Sequence, residues 1–141
     1  SSARGITEHP RNVPDRILRR LPGNGGVVMI TFVPSFISQA PKATLDDVVK
    51  HIEHVVDVAG IDHVGIGSDF DGIDSTPVGL EDVSTFPALF IELSRRGWTG
   101  EELMKLAGQN ILRVWDEAEV RASQIQRDTE PSTNTLRKSG K

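Results

Sequence analysis

The stretch TLDDVVKHIEHVVDVAGIDHVGIGSDFDG, residues 44–72, decides the fold class of this chain. Apolar residues recur at helical spacing over residues 45–59, behind a capping box formed by Thr44 and Asp47, which predicts an amphipathic helix. The short β-branched run at residues 63–68 then predicts a buried strand. A helix feeding directly into such a strand is typical of an α/β protein.

A second apolar run precedes that helix. Residues 27–33, VVMITFV, are nearly continuous apolar and β-branched, as in a parallel strand buried on both faces. Together the two strands and the helix predict a β–α–β unit with a right-handed crossover. Upstream, residues 14–18 predict a helix that Asn12 caps, and the glycine-rich residues 23–26 end it.

Helices are predicted to follow the second strand. Residues 86–96 form one, and a capping box at residues 99–102 opens another, with an interruption at Gly108. From residue 122 onward the chain is polar and loses its periodicity. We therefore divide it into an α/β portion, residues 1–121, and a disordered polar tail, residues 122–141.

Composition limits what this portion can be. With 141 residues the chain has room for one modest domain. Two parallel strands would leave unpaired edges, and a (β/α)₈ barrel needs about 250 residues.

The net charge is −4, and acidic and basic residues are interspersed, which argues against nucleic-acid and anionic-membrane partners. No apolar run reaches membrane-spanning length, and the absence of cysteine excludes thiolate metal sites. A C-terminus without a hydrophobic anchor tail favours a soluble, cytoplasmic protein. Trp98 and Trp115 are predicted to pack between helices.

The motif GIGSDFDG at residues 65–72 carries the strongest chemical signal. Asp69 and Asp71 follow the carboxyl end of a buried strand, where α/β folds place their active sites. Gly65 and Gly67 indicate that another group closely approaches the strand backbone. The same residues also suit an ordinary turn.

Three chemistries fit this motif. It resembles the Asp-x-Asp-Gly of haloacid-dehalogenase-type phosphatases, with Asp69 as nucleophile and Asp71 as general acid, although that motif usually opens its fold. A calcium loop would need glycine where Asp74 stands. The third candidate is an acid at the mouth of a metallohydrolase barrel.

The histidines are not predicted to bind a metal. His51 and His54 have metal-compatible spacing, but their helix face carries many charges, which predicts a solvated face: Asp46, Asp47, Lys50, Glu53 and Asp57. His63 begins a strand about 20 Å from its active end, so we expect a structural role. His9 lies on a loop without an evident partner.

Several segments resemble, in order, the membrane (renal) dipeptidase family of zinc metallopeptidases. They are RNVPD at 11–15, GVVM at 26–29, VAGIDHVGIGSDFDG at 58–72, GLEDVS at 79–84, RRGW at 95–98 and NILRV at 110–114. The resemblance implies the C-terminal part of a (β/α)₈ TIM-type barrel of the metal-dependent hydrolase kind, with two zinc ions. The family's ligands (a His-x-Asp pair, a bridging Glu and two later His residues) are not recognisable here. Residues 1–3 resemble the segment just after the last zinc-binding histidine, so we expect no metal ligands in this chain and no activity from it alone.

The same resemblance implies roles for two residues. Asp69 matches the acid that takes the proton of the zinc-bridging water, passes it to the leaving amine and contacts the substrate. Arg11 matches the arginine that grips the free carboxylate of a dipeptide. From spacing alone, Arg11 would be a solvated loop cation. The expected function is zinc-dependent hydrolysis of dipeptides, with a homodimer as a candidate assembly.

Overall fold

Two parallel strands, β1 (Val28–Thr31) and β2 (Val64–Ser68), pair in the part of the chain that the computed structural model describes, residues 1–132. The helices are α1 (Asp15–Leu18), α2 (Leu21–Asn24), α3 (Pro34–Ile37), α4 (Leu45–Ala59), α5 (Phe86–Arg95), α6 (Gly100–Met104) and α7 (Asn110–Asp128). 3₁₀ turns span Ile61–His63, Phe70–Gly72 and Val83–Thr85, and a wide turn at Lys105–Gln109 joins α6 to α7 across the predicted break at Gly108. The predicted β–α–β order is confirmed.

Helix α4 covers one face of the sheet. It begins as predicted, because Asp47 accepts a hydrogen bond from the Thr44 backbone N–H at 3.0 Å while Thr44 Oγ1 accepts from the Asp47 N–H. Gly60, at φ 93°, ends it. The apolar side of α4 and one face of the strands share a single core, to which they contribute Val48, Val49, Ile52, Val55, Val28, Ile30 and Val64.

The glycines of β2 allow a close approach by β1. A Cβ on Gly65 would lie 2.6 Å from Met29 Sδ, and one on Gly67 would lie 2.9 Å from Met29 Cβ. The predicted close approach is confirmed, and Met29 is the approaching group. The ladder pairs Thr31 with Ser68, which leaves Gly67 as an extra residue in β2, a β-bulge just before the strand ends.

The prediction of a solvated face was wrong for His51. This side chain is fully buried, its Nδ1 accepts a hydrogen bond from the Ala3 N–H at 3.0 Å, and its Nε2 donates to the Ile37 carbonyl at 3.0 Å. His51 stands three residues after Val48 and four before Val55, so helical geometry places it among the buried valines. The imidazole joins α4 to the N-terminal segment and to α3.

His54 also has a partner within the fold. Its Nε2 lies 2.8 Å from Asp15 Oδ1, and 20% of its side chain is exposed. This contact ties α4 to α1. The side chain is therefore a tertiary contact at the edge of the helix rather than part of a solvated face.

The sequence predicted that Asn12 caps α1, and this prediction was wrong. Pro14 occupies the cap position, without a side-chain cap. The Asn12 amide is buried, accepts from the Ser2 N–H at 3.1 Å, and donates to the carbonyls of Thr7 at 2.9 Å and Phe36 at 2.6 Å. A buried amide with these partners fixes the loop that follows the N-terminal segment.

Arg96 joins α5 to α4. Its guanidinium binds Glu92 at 3.0 Å and Glu53 at 2.9 Å, and it also pairs with Asp46. A guanidinium shared by several carboxylates holds two helices together more firmly than an isolated surface pair would. Trp98, just beyond, packs against the core as predicted.

Helix α7 continues where the sequence predicted a polar tail. Residues 122–128 form its last turns, since Ala, Gln and Arg favour helix even without burial. The prediction that Trp115 packs between helices was wrong. Its side chain is 63% exposed, and its Nε1 donates to Glu119 at 2.7 Å. Residues 133–141 of the predicted tail lie outside the described residues. None of the helices within residues 1–132 is both long and apolar enough to span a membrane.

The buried imidazole makes stability depend on pH. Burial lowers the pKa of His51 and the charge of His54 lowers it further, while the bond to the Ile37 carbonyl and the charge of Asp47 act in the opposite direction. Below about pH 6.5 the unfolded chain binds a proton at this position and the folded chain does not. As the pH is lowered, the free energy of unfolding therefore decreases by up to about 1.4 kcal/mol per pH unit.

We therefore expect that, with this chain carried in a complete (β/α)₈ barrel, the thermal midpoint of the wild type falls more steeply between pH 7.5 and 5.5 than that of His51→Gln. The glutamine variant is less stable at pH 7.5, because it loses the imidazole's paired bonds, but its residue 51 does not titrate. The measurement is a set of unfolding curves for both proteins across this range. Parallel pH profiles would show that His51 is not the titrating group.

Candidate active site

Asp69 stands directly after β2, in a left-handed turn. Its φ is 79° and that of Ser68 is 31°, so two consecutive non-glycine residues adopt positive φ. Aspartate tolerates this region better than most residues. The carboxylate lies over the following 3₁₀ turn, where a Cβ on Gly72 would come within 2.6 Å of Asp69 Oδ1. The side chain is exposed at the carboxyl end of the strand.

Aromatic packing holds this turn in place. The Phe70 ring meets Phe32 edge-on at 5.6 Å and stacks on Phe86 at 5.9 Å. Each such pair contributes about 0.5–1.5 kcal/mol, which offsets part of a backbone cost of about 1–3 kcal/mol per strained residue. Phe32 directly follows β1, and Phe86 is the first residue of α5. The turn that carries Asp69 is therefore held by two neighbouring elements.

Arg11 lies on the loop before α1. Its side chain is exposed, and its guanidinium carbon stands 5.2 Å from the centroid of the Phe36 ring. The Arg11 N–H donates to His9 Nδ1 at 3.2 Å, and the His9 ring lies 4.3 Å from Phe36. His9, which had no evident partner in the sequence, therefore shares an aromatic platform with Arg11. The sequence alone assigns no role to Phe36, which lies in α3 directly after β1.

Arg11 and Asp69 lie at the same end of the sheet. Arg11 rests against Phe36 in α3, which follows the carboxyl end of β1, and Asp69 follows the carboxyl end of β2. Because β1 and β2 are parallel, these two ends meet at one edge of the sheet, and no hydrogen bond joins the two side chains in residues 1–132. An acid–base group and a cation at one strand edge suit a substrate that carries a negative charge near its reacting bond.

The described residues do not form a metal site by themselves. No group of three His, Cys, Asp or Glu side chains able to hold an ion occurs within residues 1–132. Both ring nitrogens of His51 are bonded, His54 is bound to Asp15, and His63 Nδ1 lies 2.7 Å from the Gly26 carbonyl. The donor set present here therefore does not fit the zinc pair that the family resemblance implies.

An open cleft at the end of β2 contains Asp69. It is lined by Gly67, Ser68, Phe70, Asp71 and Val83. A second polar depression, lined in part by Arg4, Thr7, Ile37, Asp47 and Lys50, contains neither Asp69 nor Arg11. We assign the candidate site to the first of the two, because the strand end and the strained turn coincide there.

Comparisons with known proteins identify the family of the chain. The model of the membrane dipeptidase family, peptidase family M19, matches residues 1–129. A fission yeast protein, the uncharacterized dipeptidase C3A11.10c of Schizosaccharomyces pombe, is 54% identical over 121 residues. That match covers 84% of this chain and 30% of the relative, so the chain spans about a third of the relatives it matches.

Solved structures give the same result. A metallo peptidase from Rhodobacter sphaeroides, liganded with a phosphinate mimic of the dipeptide L-Ala-D-Ala, has a TM-score of 0.72 and 34% identity over 78% of this chain and 32% of its own. The probable dipeptidase PvdM from Pseudomonas aeruginosa is 24% identical and shares the fold, with a TM-score of 0.80 over 86% of this chain and 44% of its own. The expected fold, part of a (β/α)₈ barrel of the metal-dependent hydrolase kind, is confirmed. The chain belongs to the membrane dipeptidase family, peptidase family M19.

Proposed function

We propose that this chain supplies the proton-transfer and carboxylate-binding residues of a zinc-dependent dipeptidase. The observation that carries the proposal is the placement of Asp69 and Arg11 at the same end of a parallel sheet in a member of the dipeptidase family. The Rhodobacter sphaeroides relative, bound to a phosphinate mimic of a dipeptide, supports it. A phosphinate reproduces the tetrahedral arrangement that a peptide carbonyl reaches when water attacks it.

In the proposed reaction Asp69 moves the proton. Its exposed carboxylate takes a proton from the attacking water and later delivers it to the amine that leaves, so that both products depart in stable form. Bound zinc would polarise the carbonyl and acidify water, with ligands from outside the described residues. The left-handed turn holds the carboxylate in place for both transfers.

Arg11 would bind the free carboxylate of the dipeptide. A planar guanidinium offers two parallel N–H donors to a carboxylate, which fixes both the position and the direction of the substrate. This requirement for a free terminus would distinguish dipeptides from longer or blocked peptides. While Arg11 binds the terminal carboxylate of the dipeptide, Asp69 would contact the substrate at the peptide bond that is cleaved.

The phosphatase alternative loses its support. Its case rested on the Asp-x-Asp-Gly pattern, but the dipeptidase family model matches residues 1–129, including this motif. This match supports a dipeptidase role for the motif over a phosphatase role. An inactive product remains a separate alternative, because the chain spans only part of its relatives.

The test is Arg11→Lys in a complete barrel, defined here as this chain placed in the matching segment of the fission yeast relative. We expect KM for a free dipeptide to rise by about 10- to 100-fold, since lysine keeps the charge but loses one of two charge-assisted bonds, with little change in kcat. The rise should vanish for the dipeptide amide. Arg16→Lys, at an exposed position on α1, is the matched control. Equal losses on acid and amide substrates would refute the role of Arg11.

A further inference from the structure

We propose that Phe36 is a positioning residue that holds the Arg11 guanidinium ready for a substrate carboxylate, an inference that rests on the proposed function. The guanidinium carbon of Arg11 stands 5.2 Å from the centre of the Phe36 ring. A cation at this distance from an aromatic face is attracted by the ring's negative charge distribution. Phe36 itself offers the substrate no charge and no hydrogen bond, so its effect passes through Arg11.

The ring cannot move freely. Phe36 is only 8% exposed, although the arginine that it supports is an exposed side chain. The ring also packs against His9 at 4.3 Å, and His9 accepts the backbone N–H of Arg11. The platform therefore contacts both the side chain of Arg11 and the residue that fixes its backbone.

The helix that carries Phe36 is bonded to the loop that carries Arg11. Helix α3 has a single turn, so its last carbonyls need partners from elsewhere. Asn12 Nδ2 donates to the Phe36 carbonyl at 2.6 Å, and Thr7 Oγ1 and His51 Nε2 both donate to the Ile37 carbonyl at 3.0 Å. Ring and arginine thus belong to one bonded unit that reaches from the loop to α4.

This arrangement limits the rotamers of a long side chain. A free arginine samples many conformations and loses that entropy on binding, whereas an arginine already resting on a ring loses less. The carboxylate-binding step should therefore depend on Phe36, and the chemical step at Asp69 should not. The expected signature is a change in KM for acids alone.

The experiment compares Phe36→Leu and Phe36→Tyr in the complete barrel. For a free dipeptide we expect Phe36→Leu to raise KM by about 3- to 30-fold with kcat unchanged. Phe36→Tyr keeps an aromatic face, so its KM should stay near the wild-type value. KM for the dipeptide amide should not move in either variant. A thermal unfolding midpoint is recorded for each protein, and Phe36→Met replaces the leucine variant if the latter does not fold.

Two results would overturn the inference. A leucine or methionine variant that folds and keeps its KM for the acid shows that the ring does not position Arg11. A variant that loses acid and amide equally shows a general structural role. The proposed function fails separately, through Arg11→Lys: if that change does not distinguish acid from amide, the carboxylate is bound elsewhere, whatever Phe36 does. Additive effects in the double variant Phe36→Leu, Arg11→Lys would also count against the coupling.

Discussion

Replacing Asp69 with asparagine is expected to lower kcat in the complete barrel by about 10²–10⁴-fold and to leave KM nearly unchanged, because one positioned acid–base group is lost. The substitution is nearly isosteric, and asparagine accepts the left-handed conformation seen at φ 79° as readily as aspartate does. The turn should therefore survive, and the variant isolates proton transfer from local structure.

Asp71 provides the matched control. It lines the same open cleft, two residues further along, on the 3₁₀ turn rather than at the strand end. Asp71→Asn should leave kcat near its wild-type value. Initial rates over a range of dipeptide concentrations give kcat and KM for both variants. Near-normal turnover by Asp69→Asn, or a larger loss from Asp71→Asn, would move the proton-transfer role away from Asp69.

The chain on its own is expected to bind no zinc tightly and to hydrolyse no dipeptide. A catalytic zinc usually needs three protein ligands and a water, and no group of three candidate side chains occurs within residues 1–132. Its histidines are already engaged: His51 is bonded at both ring nitrogens and His54 is bound to Asp15. Taking either as a ligand would break tertiary contacts of α4.

Its surface also predicts a partly folded, aggregation-prone species. The two strands pair only with each other in the described structure, and large apolar side chains stand open to solvent, among them Val78, Ile91, Leu112 and Trp115. Unpaired strand edges and exposed apolar surface favour association. Calorimetric zinc titration, a dipeptidase assay and size exclusion on the purified chain test this, with the complete barrel as the active control. Stoichiometric sub-micromolar zinc binding with turnover would contradict the prediction and place the metal site within this chain.

Local signals in the sequence predicted the framework well. The capping boxes at Thr44 and Thr99, the glycine end of α4 and the break at Gly108 all lie where the pattern put them. Each depends on a few neighbouring residues, so a single sequence contains the information. The glycines of β2 likewise predicted a close neighbour, although only the structure identifies it as Met29.

Long-range polar contacts escaped prediction. The charged sequence neighbours of His51 predict a solvated face, yet its bonds go to Ala3 and Ile37, which the sequence does not place nearby. Asn12 suited a helix cap equally well, and its amide instead joins the N-terminal segment to Phe36. In the candidate site, Asp69 could be inferred from strand and motif, whereas Arg11 depended on family resemblance. Its ring partner is visible only in three dimensions.

The bulge at Gly67 has a consequence for how this site tolerates genetic change. Since β2 uses one residue more than β1 over the same stretch of ladder, the direction of Asp69 is set by a count of residues as well as by their identity. A substitution at Gly67 would press on Met29 and leave the acid on its own side of the strand. Loss of the single codon for Gly67 would remove the bulge and leave a regular ladder, which changes the bend and twist of the strand just before Asp69. An in-frame deletion here is therefore expected to re-aim the carboxylate, whereas a substitution at Gly67 would act on its neighbour Met29.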